Sequence, residues 1–242
     1  MLLALLACDT APEPTPTLVP SDGWPAWSDP ALAGCVVTAT TVSGASNVPF
    51  TVDTYDDAGR RVASRGGDDG VDELGWTHTW TGEVVDTVGE ALLEGVVFHD
   101  VQRRVFDGPR RLRFEIEMSW VYDDMGMSSR GAYLTTWEDD LPVWEDWYDE
   151  PAAITREGGA EWIWTEDRAA AEVRFEDGTS VSLVYDAQAR PVERIRPPVS
   201  GGSPFEERTT WTWGDRGPAT LTFDNDEDGD PEAVTTWDYA CP

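Results

Sequence analysis

Apolar and polar residues alternate with a period of two through most of this 242-residue chain. The clearest run spans residues 111–122, where every even position is apolar and most odd positions are charged or polar. Such alternation is typical of a β-strand with one buried face and one solvated face. Aromatic pairs repeat the spacing at Trp162 and Trp164, at Trp211 and Trp213, and at Trp237 and Tyr239. No long segment has the 3.6-residue period of a helix, so the pattern predicts an all-β fold.

Turn residues predict how neighbouring strands pair. A Glu-Asp-Gly turn at 176–178 separates two alternating runs. A two-residue loop would place Phe175 and Val181 on opposite faces of the hairpin. A three-residue loop instead pairs Val173 with Val181 and keeps the apolar residues on one face. The pattern therefore predicts the three-residue loop, with Gly178 in the left-handed conformation.

A short motif recurs at intervals of roughly 20–30 residues, the scale of a strand–turn–strand unit. Its opening segments are 55–60 (YDDAGR), 122–126 (YDDMG), 185–190 (YDAQAR) and 213–217 (WGDRG), and Thr-Thr-Trp stands at 135–137, 209–211 and 235–237. These units resemble the YD repeats of RHS-type proteins, which read roughly Tyr-Asp-x-x-Gly-Arg. Here Ala189 replaces the glycine, and Trp213-Gly214 replaces Tyr-Asp. The resemblance implies antiparallel hairpins and an association with cell surfaces or glycans.

The N-terminus resembles the signal of bacterial lipoproteins. Leu5-Leu6-Ala7-Cys8 matches a lipobox, in which the cysteine after an apolar, apolar, small triplet is lipidated and the preceding peptide is removed. The next segment is rich in Pro and Thr, which favours an extended tether. We expect a signal peptide remnant whose true start lies upstream, a lipidated tether and a single all-β domain, at residues 1–7, 8–30 and 31–242.

With Cys8 lipidated, Cys35 and Cys241 remain at the two ends of the folded domain. In an oxidising compartment we expect them to form a disulfide, the alternative being two unrelated buried thiols. A disulfide needs Cα atoms within about 7 Å, so the first and last strands would be neighbours. The successive hairpins then form an antiparallel up-and-down meander, curled or closed into a barrel, and not an extended solenoid.

The charge balance limits the partners of this chain. It contains 47 acidic and 17 basic residues, a formal net charge of −30, and every basic residue is arginine. Such a surface repels nucleic acid and anionic lipid headgroups. We therefore expect no nucleic-acid partner. The expected partners are cations, neutral molecules such as glycans, or basic envelope proteins, with the membrane reached through the lipid anchor.

An acidic loop at 224–232 has the composition of a calcium site. Its candidate ligands alternate along the chain: Asp224, Asp226, Asp228, Asp230 and Glu232. Oxygen ligands at alternate positions, with a glycine for a sharp turn, are what Ca²⁺ requires. Thr235 occupies the twelfth position, where an EF-hand has glutamate, and no helices flank the loop. The alternatives are a calcium-binding β-turn, the one cofactor site that the sequence suggests, and a solvated hairpin loop.

A second cluster interleaves acidic and aromatic residues between positions 137 and 150. Its aromatic members are candidate ligand-binding residues: Trp137, Trp144, Trp147 and Tyr148. Paired carboxylates flanked by aromatics are typical of glycoside hydrolases, and exposed tryptophan rings stack on sugars. A strand that alternates core and solvated faces produces the same pattern. The two histidines lack the spacing of metal ligands, and His78 lies in an alternating strand run.

These features predict a lipid-anchored, extracytoplasmic β-repeat protein of the cell envelope, with a binding or structural role and no enzymatic activity. The alternative is a carboxylate-pair glycoside hydrolase that acts on envelope polysaccharide. That activity requires two acids about 5–9.5 Å apart in one cleft.

Overall fold

The computed structural model describes residues 26–43, 48–68, 71–93, 96–108, 110–122, 125–149, 156–198, 205–225 and 230–242. One short 3₁₀ turn, Pro30–Leu32, precedes the strands. The strands of the described residues are β1 (Val36–Ser43), β2 (Pro49–Tyr55), β3 (Arg61–Asp68), β4 (Val71–Thr81), β5 (Val84–Leu93), β6 (Val96–Asp107), β7 (Arg110–Tyr122), β8 (Met125–Glu138), β9 (Leu141–Tyr148), β10 (Gly158–Trp164), β11 (Ala170–Phe175), β12 (Ser180–Tyr185), β13 (Pro191–Arg196), β14 (Glu207–Trp213), β15 (Pro218–Asp224) and β16 (Ala233–Ala240).

These sixteen strands form one closed antiparallel barrel in which each strand pairs with its neighbours in the chain. The predicted up-and-down meander is therefore confirmed. The hairpin at 176–178 has the predicted register, with Val173 opposite Val181, and Gly178 has a φ of 86°. Local turn chemistry and the two-residue period were sufficient to predict both features.

The barrel closes where β1 pairs with β16, from Val36 opposite Ala240 to Ser43 opposite Ala233. Next to this pairing, a disulfide joins Cys35 to Cys241, with Cα atoms 4.1 Å apart. The predicted pairing of these cysteines is confirmed. Closure satisfies the backbone groups of the first and last strands, which would otherwise be exposed edges.

Burial distinguishes the two faces of the sheet. Opposed residues on neighbouring strands share a face, and most of the deeply buried strand residues lie on one face, for example Val37, Val85 and Leu183, each at most 2% exposed. Because a single closed sheet buries mainly its inner face, this face is the inner one. The inner face is apolar around β10–β12, where Ala160, Val173 and Leu183 belong to one cluster. It is polar around β2–β6.

Every second strand has an aromatic residue at its last or next-to-last position, and these residues lie at the same end of the barrel. The eight residues within the described chain are Tyr55, Trp80, Phe106, Trp137, Trp164, Tyr185, Trp213 and Tyr239. Several donate a hydrogen bond to the carbonyl at the start of the preceding strand: Trp80 to Arg61, Trp137 to Arg111, Trp213 to Pro191 and Tyr239 to Pro218, at 2.8–3.0 Å. The barrel therefore consists of eight hairpin units with an equivalent aromatic position. Three of the four motif segments, 55–60, 185–190 and 213–217, begin at such a position, whereas 122–126 begins at the end of β7, an odd-numbered strand.

Two Tyr-Asp turns have the same hydrogen bonds. Asp56 accepts from the backbone N–H of Ala58 and Arg60 and from Nε of Arg60. Asp186 accepts in the same way from Gln188 and Arg190. Burial alone would raise the pKa of Asp56, but the hydrogen bonds from Arg60 and Ala58 hold this pKa below its ordinary value. The aspartate thus fixes the turn that follows the buried tyrosine.

The segment before β1 lies against the barrel end that carries the aromatic residues. Ser28 bridges Arg60, and the carbonyl of Trp27 accepts from the N–H of Arg61. Leu32 is fully buried beside the disulfide. Residues 26–30, which the sequence assigned to the tether, therefore pack against the domain in the described structure.

Candidate functional site

A cavity of about 280 Å³ lies on the inner face, between β2 and β6. Its lining residues are Trp27, Thr51, Asp53, Arg61, Ser64, Arg65, Trp76, His78, Thr87, Gln102 and Arg104. Trp27 and Arg61 line the part of the cavity that is nearest the barrel end with the aromatic residues. Thr51 shares the inner face with Asp53, lies farther from the aromatic end and is exposed, so the cavity opens toward the other end. The segment before β1 contributes Trp27 to the wall of the cavity near the aromatic end.

A chain of hydrogen bonds crosses the cavity wall from β2 to β5. The hydroxyl of Ser64 donates to Oδ1 of Asp53 at 2.5 Å and lies 2.8 Å from Nε2 of His78. Nδ1 of His78 lies 2.9 Å from the hydroxyl of Thr87. Because the Ser64 proton is committed to Asp53, Nε2 of His78 is the donor to Ser64 and Nδ1 accepts from Thr87. This direction is the reverse of a nucleophilic triad, in which the histidine accepts the serine proton.

His78 is held neutral in this setting. Burial, together with the positive charges of Arg61 and Arg104, lowers its pKa to about 3. At neutral pH the imidazole therefore supplies one donor and one acceptor and no charge.

Trp27 brings the two arginines together. The guanidinium carbon of Arg61 lies 4.5 Å from the centroid of the Trp27 ring, and that of Arg104 lies 4.1 Å from it. Arg104 also lies 4.3 Å from the ring of Phe114. Nε of Arg61 is 3.7 Å from Oδ1 of Asp53. Stacking on aromatic faces stabilises guanidinium groups in a site that contains a single lining carboxylate among the described residues.

Trp76 forms another wall of the cavity. Its indole N–H donates to Asp100 at 3.0 Å, and Gln102 donates to the same oxygen. A Cβ added to Gly89 would overlap the Trp76 ring, so this glycine makes room for the indole. Asp100 therefore orients both Trp76 and Gln102 toward the cavity.

The four aromatic residues proposed from the sequence do not form one surface. Trp147 lies on the inner face and packs against Phe175, with ring centroids 5.8 Å apart and planes tilted by 36°. Trp137 donates to a backbone carbonyl at the barrel end. Trp144 and Tyr148 alternate with Trp147 along β9 and lie on the outer face. The strand geometry thus divides the set between two faces, as core and solvated alternation requires.

The acidic members of this cluster are divided in the same way. Glu145 faces inward, where Arg111 and Trp147 donate to it at 2.9 and 3.0 Å. Asp146 faces outward and accepts from Trp144 and Arg156 at 2.7 and 2.9 Å. Because the sheet separates them, this adjacent pair of carboxylates does not share a cleft.

The candidate calcium loop is described only in part. Asp226 and Asp228 lie outside the described residues, as does Cys8. Glu232 accepts from the backbone N–H of Asn225 at 2.8 Å, and Asp230 is exposed. In the parts of the chain that the structure describes, no three metal-binding side chains are grouped closely enough to hold an ion. Nor is any helix there long and apolar enough to cross a membrane.

Sequence reasoning did not identify the cavity. Its residues come from the segment before β1 and from five different strands, and most of them are polar residues within alternating runs. A signal for His78 was nevertheless present. It shares a strand face with Trp76 and Trp80, two positions away on either side, so a polar residue occupies a face that aromatic residues mark as inner.

Comparison with known proteins shows similarity in fold only. No protein-family model matches the chain, and no curated protein is similar to it in sequence. Among solved structures, the barrel is similar to a porin-like protein from Bacteroides uniformis, with a TM-score of 0.54 and 9% sequence identity. The similarity covers 88% of this chain and 99% of that chain. At this identity, the shared feature is the barrel itself.

Proposed function

We propose that this chain is a lipid-anchored binding protein of the bacterial cell envelope, whose barrel lies in the aqueous phase beside the membrane. The observation that carries the binding role is the polar cavity inside the barrel. A recess with aromatic walls, two arginines and a few convergent hydrogen-bonding groups is the usual form of a small-molecule site. The anchor is Cys8, through its resemblance to a lipobox.

The outer face supports an aqueous setting. Ion pairs lie on it at widely separated strands: Asp86–Arg103 at 3.8 Å, Glu117–Arg130 at 2.7 Å, Glu172–Arg174 at 2.7 Å and Glu193–Arg208 at 2.9 Å. A membrane-spanning barrel carries an outward apolar band, and an arginine at its midplane costs roughly 2–4 kcal/mol. The described outer surface lacks such a band, because its valines alternate with these charges. The porin-like fold therefore does not imply a porin-like position.

The disulfide supports an extracytoplasmic location. Cys35 and Cys241 are joined in the folded chain, and structural disulfides persist mainly in the periplasm and outside the cell. A secreted, anchored domain fits this requirement. Two features therefore support the proposed envelope location, the lipobox resemblance and the disulfide.

The glycoside hydrolase alternative has less support from the cavity. That reaction requires two carboxyl groups, one on each side of the scissile bond. Among the described residues that line the cavity, Asp53 is the one carboxylate, and Arg61 and Ser64 both engage it. We therefore retain a non-catalytic role as the proposal.

The decisive experiment expresses the gene with its native upstream start and follows the protein by detergent phase partition and labelled palmitate. We expect the wild type to enter the detergent phase and to carry label. Cys8→Ser should lack label and move to the aqueous phase, because the charged outer face does not hold the barrel in lipid.

The lipid anchor and the aqueous position of the barrel would be contradicted by different results. Label that persists in Cys8→Ser contradicts the anchor. An unlabelled Cys8→Ser protein that stays in the detergent phase contradicts the aqueous barrel and favours a membrane-spanning one. Cys35→Ser is the matched control, since it removes a cysteine without touching the lipobox.

A further inference from the structure

The indole of Trp76 has a fixed orientation on the inner face of the barrel. The register places Trp76 on β4 opposite Gly89 on β5, and Gly89 opposite Asp100 on β6. The indole reaches over Gly89, where an added Cβ would overlap it, and its N–H donates to Asp100 at 3.0 Å. Because Trp76 lines the cavity and is only half-buried, part of this fixed ring is open to a ligand.

Gln102 and Thr51 add neutral hydrogen-bonding groups to the same cavity. The side-chain amide of Gln102 bonds to the carboxylate oxygen of Asp100 that Trp76 also uses. A carboxylate only accepts, so the amide nitrogen is the donor there and the amide oxygen remains available to accept from a ligand. Thr51 is exposed at the open end, and its hydroxyl both donates and accepts. The cavity thus combines one aromatic wall with uncharged polar groups.

The charges of the inner wall are balanced. Asp53 lines the cavity, and the buried Asp100 is bonded to its lining. These two carboxylates offset the two arginines of the inner wall, Arg61 and Arg104, which already contact neighbouring side chains. The register places Arg65 on the outer face. A charged ligand would therefore enter without a counter-charge, which is costly in a buried site, and the wall favours a neutral ligand.

The size and lining of the cavity define the kind of neutral ligand. The volume of about 280 Å³ is at the lower limit of the roughly 300–1,000 Å³ of ligand pockets, which restricts the ligand to a single small ring. A pyranose is such a ring, and its C–H bonds form an apolar face while its hydroxyls form a polar edge. The apolar face packs on an aromatic side chain through dispersion. The hydroxyls match the amide and hydroxyl groups of the wall.

We propose that the cavity binds a neutral hexopyranose, with the C–H face of the sugar on Trp76 and its hydroxyls on Gln102 and Thr51. The inference rests on the proposed binding role and names the ligand class for it. No covalent step is involved.

The test uses the full chain carrying Cys8→Ser and measures binding by calorimetry, with methyl β-D-glucopyranoside as the probe. D-Glucitol is the matched ligand control, since it carries similar hydroxyls on an open chain without a ring. We expect D-glucitol to bind roughly tenfold more weakly or worse, because it lacks the C–H face and loses more conformational freedom on binding.

Three variants test the position of the sugar. Trp76→Leu should weaken binding of the glucoside roughly tenfold, because it removes the aromatic surface. Trp76→Phe keeps an aromatic ring and should recover most of this loss. Trp144→Leu is the matched control and should leave the affinity unchanged. Trp144 also donates its indole N–H to a carboxylate, that of Asp146, but it lies on the outer face.

Several outcomes overturn the inference. These are no binding up to about 10 mM glucoside, equal binding of D-glucitol, and unchanged affinity in Trp76→Leu. If Trp76→Leu does not fold, the comparison of the glucoside with D-glucitol decides on wild-type side chains. Tighter binding of D-glucuronate than of the glucoside overturns the neutral ligand class.

Benzyl alcohol, a small neutral ring without the sugar hydroxyls, separates failure of the sugar from failure of the binding role. Binding of benzyl alcohol without binding of the glucoside overturns the hexopyranose and leaves a binding cavity. Absence of binding by both ligands counts against the binding role as well. Palmitate labelling tests the anchor independently of either result.

Discussion

The indole ring of Trp27 lies edge-on to the imidazole of His78, with ring centroids 5.0 Å apart and planes at 82°. Trp27 belongs to no strand, whereas His78 is in the middle of β4. This contact joins the segment before the barrel to the wall of the cavity. The first described residues of the chain are therefore part of the domain interior.

Replacing Trp27 should destabilise the barrel. Trp27→Ala removes the ring shared by Arg61, Arg104 and His78, and we expect a loss of about 2–4 kcal/mol in the free energy of unfolding, since the site is partly buried. Urea unfolding followed by circular dichroism measures it. Trp144→Ala is the control, because Trp144 lies on the outer face, and it should cost about 1 kcal/mol. Equal losses for the two variants would contradict an interior role for Trp27.

Acidification should reveal the buried neutral histidine. The pKa of His78 in the folded protein is about 3, below the roughly 6.5 of an unfolded chain. The unfolded state therefore binds the proton more tightly, and this contribution to stability is complete above pH 6.5 and is lost as the pH falls toward 3. We expect a loss of about 1–2 kcal/mol between pH 6.5 and pH 5, measured by urea unfolding.

Two histidine variants test this assignment. His78→Gln should flatten the pH dependence over the same interval, because no imidazole remains to be protonated. His99→Gln should retain it, since His99 is exposed beside Glu90 on the outer face. A wild-type slope in His78→Gln would assign the pH dependence to other groups.

The disulfide should stabilise the barrel without being required for its closure. Replacing Cys35 and Cys241 together by alanine opens a loop whose ends are 206 residues apart. The chain-entropy model gives a loss of up to about 5 kcal/mol. The circular dichroism spectrum should stay that of a β-barrel, because the β1–β16 ladder is intact. Reduction of the wild type should lower its melting temperature to that of the double variant. The melting temperature of the double variant should not respond to reductant.

Gly59 should tolerate no side chain. It has a φ of 74°, and an added Cβ would overlap the carbonyl of Asp29. Gly59→Ala should therefore cost well over 2 kcal/mol, through strain and displacement of the segment that carries Trp27. Gly178→Ala is the matched control, with a φ of 86° and nothing within 4 Å of the new atom, and should cost about 1 kcal/mol from the left-handed conformation alone. Urea unfolding compares them.

Ala189 occupies the position that corresponds to Gly59 in another hairpin unit, and its φ is 57°. Ala189→Gly should relieve the left-handed strain of an alanine and raise stability by about 0.5–1 kcal/mol, after the flexibility of glycine in the unfolded chain is taken into account. Thermal unfolding of the single variant measures the change. A destabilised protein would mean that the packing of the Ala189 methyl group outweighs the strain.

The sequence predicted what depends on neighbours in the chain. The turn at Gly178 and the pairing of Val173 with Val181 follow from the two-residue period, and closure follows from the positions of Cys35 and Cys241. The cavity depends on register around the barrel, which brings Asp53, Ser64 and Thr87 together from three strands. Alternation alone assigns polar residues to the solvated face, so these were not recognised as interior.

The arrangement of charges in the cavity could not be predicted from the sequence either. The overall balance of acidic and basic residues predicts cationic or neutral partners, because it averages over the whole surface. Arg61 and Arg104 lie on β3 and β6, and only the folded barrel places both on the ring of Trp27. The local potential of a recess is therefore a property of the fold, and composition does not reveal it.

Because the barrel consists of eight equivalent hairpins, the number of hairpins sets its circumference. Neighbouring strands are about 4.8 Å apart, so gain or loss of one hairpin changes the circumference by about 10 Å and the bore by at least about 3 Å. Duplication of a gene segment that encodes one unit would leave the ladder between the first and last strands, and its cross-link, unaltered. Gain or loss of units in descendants of such a chain could thus change the width of the barrel interior by one hairpin at a time. The strand pairing that closes the sheet would stay the same.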